Sequence, residues 1–271
     1  MRRIVGLLVV LSGLAGSLFA ADVIPTDFTA DYMELDALKA KLAKAGLNVL
    51  GTHQVAGNKD YSVVVYSSPE LLKAAKLPKR GFIGALHILH DSKAKQIVAS
   101  NPEYYMRAFL QKDYKSDMAK PVNEALKKAL GKLTPTADGL KAKTLKKYKF
   151  MVGMPHYDDF VVVGKGKTED LLKKLRKNAK VVFEQKLNED GTLVLCGVEL
   201  PEKIEKFNVK LKTMGQSHLL PYSVVIGGGK ARILHAKFYL AVSFPRLTMG
   251  EFMKIMSVPG DIKDAFKKYF K

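Results

Sequence analysis

Two stretches of this chain resemble one another, and that likeness limits its architecture more than any other feature. Gly81-Phe-Ile-Gly-Ala-Leu-His-Ile-Leu-His90 runs into Asp91-Ser-Lys-Ala-Lys-Gln-Ile-Val98, and His218-Leu-Leu-Pro-Tyr-Ser-Val-Val-Ile226 runs into Gly227-Gly-Gly-Lys-Ala-Arg-Ile-Leu-His235. At one constant spacing, Lys93-Ala94-Lys95 meets Lys230-Ala231-Arg232, Ile97 meets Leu234, Ala99 meets Ala236 and Leu110 meets Leu247. The flanks agree: Leu38–Leu42 resembles Leu171–Leu175, and Asn123–Leu130 resembles Lys263–Phe270. A repeat of this length predicts two tandem units of roughly 110–120 residues, each of ordinary domain size.

Both units read alike. An opening strand (Phe28 onward; Phe160–Val163) precedes an amphipathic helix (35–45; 168–177). Two strands follow, at Leu47–Gln54 and Tyr61–Tyr66 in one unit and Lys180–Gln185 and Thr192–Val198 in the other. They are rich in β-branched residues and separated by turn residues, the signature of a hairpin. Pro69 and Pro201 each suit the first turn of a short helix. A second hairpin turns at Asp91-Ser92 and at Gly227–Gly229. Helices at 102–110 and 121–131, matched to 248–257 and 260–270, close the units. This order predicts an α+β fold: two tandem two-layer sandwiches with largely antiparallel sheets. The domains expected are 21–133 and 158–271, joined by a lysine-rich linker at 134–157.

One segment is set apart from this plan. Met1–Ala20 has a basic start at Arg2 and Arg3, a short apolar stretch and a small-residue end at Ala20, the pattern of a secretory signal peptide. Its removal takes the net charge from +19 to +17 and predicts a periplasmic location. Export argues against nucleic acid as the partner, as does the excess of lysine over arginine, the residue of bidentate base recognition. An anionic membrane surface, an anionic envelope polymer or an acidic protein remain as partners for a basic exported chain. A lysine-rich solvated surface accounts for the same composition. The charge is uneven: residues 21–133 carry 17 basic and 12 acidic side chains, and 134–271 carry 26 and 14.

The fragments Tyr61–Tyr66, Pro69-Glu-Leu71, Gly81–Leu86 and Asn101–Phe109 resemble the small two-layer domains of the bacterial domain-of-unknown-function 302 family, more clearly in the first unit than in the second. The resemblance implies a fold and brings no chemistry with it.

The chain has no Walker A sequence, no Gly-x-Ser-x-Gly elbow and no His-Glu-x-x-His, and its single cysteine excludes a thiolate metal cluster. Cys196 sits in an apolar strand and is expected buried and inert. His87 and His90 lie three apart on a strand, hence on opposite faces. The main expectation is therefore a non-enzymatic protein binding a small ligand or an envelope partner in the cleft between the units. Asn101, Tyr104, Tyr105, Arg107 and His156 are the candidate ligand contacts, together with the lysines of 141–149. The first four of these cluster at a proline-started helix, where a capped and structural helix would use the same residues.

A second expectation is copper handling. Met151, Met154 and His156 place two thioethers and an imidazole within six residues, a donor set that suits Cu(I). Met249, Met253 and Met256 share one helical face, which interleaved Phe252 and Ile255 mark as core packing. A third is a hydrolase-like enzyme, which needs a carboxylate cluster or a His-paired nucleophile in one pocket.

Overall fold

The computed structural model describes residues 22–271, so the segment read as a signal peptide lies outside the described residues. The first half contains β1 (Val23–Pro25), β2 (Asp27–Asp31), α1 (Leu35–Lys44), β3 (Asn48–Gln54), β4 (Tyr61–Ser67), α2 (Pro69–Ala75), β5 (Leu86–Asp91), β6 (Gln96–Ser100), α3 (Pro102–Leu110) and α4 (Lys120–Leu130). The connection holds β7 (Thr134–Pro135), β8 (Gly139–Lys141) and α5 (Ala142–Leu145). The second half contains β9 (Val161–Lys165), α6 (Thr168–Asn178), β10 (Val181–Lys186), β11 (Val194–Val198), α7 (Glu202–Glu205), α8 (Phe207–Leu211), β12 (Tyr222–Gly227), β13 (Lys230–Ile233), α9 (Ala236–Ser243), α10 (Met249–Lys254) and α11 (Val258–Tyr269).

The fold is α+β with antiparallel sheets, and the halves share one strand order. The first sheet runs β3-β4-β5-β6-β2, with β7 added at its edge, and the second runs β10-β11-β12-β13-β9. Local chemistry explains the elements. Leu38 and Leu42, four apart, form the buried stripe of α1. Ser68 caps α2 and Asn101 caps α3, each ahead of a proline in the first turn. The β12–β13 hairpin closes through Gly228 and Gly229, both at positive φ, as a two-residue turn of this hand demands.

Two features differ from the sequence reading. The hairpin of the first half closes at Asp91 and Gln96 through four residues, that of the second at Gly227 and Lys230 through two. No constant spacing can match both strands of each pair. By strand register Ile97 corresponds to Ala231 and Tyr105 to Tyr239. The counterpart of α3 is consequently α9, buried along its length and capped by His235 Nδ1, and not the segment 248–257. The lysine-rich connection is also partly structured: β7 extends the first sheet beside β2, and β8 pairs with β1.

The two halves pack through reciprocal arms. The 3-10 turn Gly81–Gly84 of the first half lies against β11 and β12, and the turn Met214–Leu219 of the second lies over β4, β5 and β6. Glycine is needed in the first arm. A Cβ on Gly84 would stand 2.8 Å from Leu187 Cδ2, and one on Gly81 would meet Leu187 at 3.0 Å and Val225 at 3.2 Å. These contacts leave the central strands covered on both faces, so β4 and β5 read as near-continuous buried runs. The buried apolar residues of both halves form one continuous core.

Candidate functional site

Charged and polar side chains cross the junction at three points, two of them buried on both sides. His218 Nε2 pairs with Asp27 Oδ1 at 2.8 Å. His53 Nε2 pairs with Glu205 Oε2 at 3.0 Å, and the same carboxylate accepts the amides of Ala56 (2.7 Å) and Leu200 (3.1 Å). Arg80 reaches Asp113 and Asp158, each at 2.9 Å, and lies over the Tyr157 ring. Glu205 is thus a fully bonded buried carboxylate, the condition under which such a group is tolerated.

A small chamber sits at the centre of the junction, lined by His87, His218, Tyr105, Tyr239, Ser100 and Ser223 among apolar neighbours such as Phe82 and Phe109. Its lining comes in corresponding pairs. By strand register His87 stands opposite Ser223 in the second half, Ser100 opposite Leu234, and Tyr105 opposite Tyr239. The chamber encloses about 10 Å³, room for about one water molecule. The chamber itself is therefore packed core with a polar centre, whereas an open hollow of about 370 Å³ at the rim of the junction is lined by Leu72, Lys73 and Lys76 of the first half and by Lys186, Leu187 and Asn188 of the second. Burial, reinforced by neighbouring His218, pushes the His87 imidazole down to about 3, so the ring is neutral over the physiological range. Its Nε2 and the Nδ1 of His218 have no hydrogen-bond partner among the described residues. The Asp27 carboxylate accepts only, so His218 Nε2 is the donor of that pair.

The sequence candidates fall into three groups. Asn101, Tyr104 and Tyr105 are buried. Asn101 caps α3 and donates to Pro25 O at 2.7 Å, and Tyr104 donates to Val242 O at 2.7 Å, joining α3 to α9. Their polar atoms hold the fold together, while Tyr105 lines the chamber. Arg107 and the lysines form the second group. An open hollow of about 500 Å³ is lined by Arg107, Lys143, Lys146 and Lys147 with Ala142 and Thr144. Glu103 accepts from Arg107 Nε (2.9 Å) and Nη2 (2.7 Å), and the guanidinium stacks on Tyr114 at 4.4 Å. The three lysines have no carboxylate within ion-pair distance among the described residues, whereas Arg107 does.

His156 belongs to the third group. It lies with Met151 and Met154 in the turn leading to β9, where Met154 N donates to Met151 O at 3.1 Å. Met151 is exposed, and Met154 and His156 are half-buried. No group of three or more His, Cys, Asp or Glu side chains suited to a metal ion occurs among the described residues.

The methionines of α10 correct the sequence reading. Phe252 and Ile255 are the buried side chains there, and Met249, Met253 and Met256 are exposed. The larger flat ring of Phe252 takes the inward position and stacks on Phe150 at 5.3 Å, which turns the thioethers outward. Cys196 is buried, and burial pushes its thiol up, away from nucleophilic use. Glu205, Asp27 and Arg80 gave no motif in the sequence, because each depends on a partner in the other half.

Set against models of known families, curated proteins and solved structures, the chain matches none. No helix among the described residues is long and apolar enough to cross a membrane.

Proposed function

We propose that this is an exported, non-catalytic binding protein of the bacterial periplasm that holds an anionic ligand or envelope partner at the basic hollow beside α3 and α5. The observation that carries this reading is the set of three unpaired lysines, Lys143, Lys146 and Lys147, gathered beside Arg107 in one hollow. Their spacing, i, i+3 and i+4, brings like charges onto one side of a helical turn, where they repel by a few tenths of a kcal/mol per pair. An anion relieves that repulsion. These lysines belong to the stretch, residues 134–271, that carries most of the basic excess. The halves' common strand order supports an origin by duplication.

Titration of the protein with inorganic polyphosphate tests the reading. Binding is expected at low salt and is expected to weaken as salt rises, because exposed charges are screened. Replacing Lys143, Lys146 and Lys147 together by Glu should weaken it by at least about tenfold, equivalent to about 1.4 kcal/mol. No binding at low salt, or equal binding by the variant, would overturn it.

The exposure of Met151 in a turn shared with Met154 and His156 favours a second reading, Cu(I) handling. Anaerobic titration against a competing Cu(I) chelator decides it: a site no tighter than micromolar rules the reading out.

A further inference from the structure

We propose that the second half lies against an anionic phospholipid surface, with the Met151-Val152 turn, α8 and α10 as its contact face. This rests on the reading of the basic hollow and names the partner on that side of the molecule.

Seven large apolar side chains are exposed among the described residues, and all seven belong to the connection or the second half. Six of them are Met151, Val152, Val209, Met249, Met253 and Met256. Val152 is 92% exposed, Met256 65% and Val209 56%, values far from those of ordinary core residues. They occupy one connected region. Phe150 stacks on Phe252, which brings the Met151-Val152 turn beside α10, and α8, which carries Val209, packs on α10. An exposed apolar group of this kind marks an interaction surface.

Charge identifies the partner. Lys146, Lys147 and Lys149 precede the turn, Lys210 and Lys212 follow Val209, and Lys254 follows Met253. All are exposed, and none lies within ion-pair distance of a carboxylate among the described residues. The nearest acidic side chain of α10, Glu251, is folded back onto Thr248, accepting from its amide and its hydroxyl at 2.8 Å each. Apolar side chains interleaved with unpaired lysines form the pattern that sits in the headgroup region of an anionic membrane: lysines reach phosphates while short apolar groups enter the acyl boundary. The thioethers are flexible enough to fit a fluid surface.

Co-sedimentation with vesicles of phosphatidylglycerol and phosphatidylethanolamine, compared with phosphatidylcholine alone, tests the inference. The protein should pellet with the anionic vesicles at low salt and remain in solution with the neutral ones. Met253→Gln with Met256→Gln should reduce partitioning about tenfold and leave polyphosphate binding unchanged, because these side chains are exposed and lie outside the hollow. The chain has no tryptophan, so Met256→Trp adds a single reporter whose emission should shift to the blue on anionic vesicles. Polyphosphate binding without vesicle binding sinks the membrane inference and leaves the reading of the hollow standing. Failure of both sinks both. Equal partitioning by the Gln variant, or self-association of the protein in place of vesicle binding, also overturns the inference.

Discussion

The two halves follow one strand order and treat their surfaces in opposite ways. The first half exposes no large apolar side chain among its described residues, and its charges nearly balance. The second half and the connection expose seven and carry most of the basic excess. At the junction the halves are alike: each sends a 3-10 arm over the other's sheet, and each sets a tyrosine into the chamber wall. Packing at the junction constrains both halves together. The outward faces are under no such demand, and on the proposed reading one half serves as scaffold and the other as the surface that meets a partner.

Three substitutions would sharpen or break that comparison. The largest concerns the junction. Glu205→Ala removes a buried carboxylate bonded to His53 and to two amides. It should cost about 3–5 kcal/mol of stability in urea denaturation, because the groups left behind are buried and unpaired. A loss under about 1 kcal/mol would mean that the halves are held together without it.

Acid should act through His87. Its proton affinity in the folded protein corresponds to a pKa of about 3, against 6.5 for an exposed imidazole. The unfolded chain therefore takes up a proton first as pH falls. The His87 contribution is fully present above pH 6.5 and is lost as pH falls from 6.5 towards 3, at up to about 1.4 kcal/mol per pH unit. His87→Leu should flatten that part of the stability–pH curve, and an unchanged slope would contradict the burial argument.

A smaller effect is expected from Tyr104→Phe, which supplies the ring that the second half already has at Phe238. It removes only the bond to Val242 O, and about 1 kcal/mol should go with it.

Much of the fold was legible from residue chemistry. Tyr61–Tyr66 and the strands around it are β-branched and apolar, and Asn101-Pro102 marks a helix start. Helix α9 was hidden because Ala236–Ser243 is apolar on nearly every side, with no helical period, and its cap is His235 in place of Asn or Ser. The α10 methionines were misjudged because spacing alone cannot say which side of a helix faces inward, and Phe252 decides it. Arg107 and the lysines of the connection were legible as a basic group, and the structure brings them into one hollow. The buried pairs were invisible, since His53 and Glu205 lie 152 residues apart and Asp27 and His218 lie 191 apart. No local pattern encodes such pairings.

Hydrogen–deuterium exchange of the whole protein, with and without anionic vesicles, tests the division of labour most directly. Protection should appear at residues 141–152, 207–212 and 249–256, with α1, α4 and the junction strands unchanged. Protection centred on α1 or α4, or none in the second half, would contradict the assignment of the second half as the partner-facing surface.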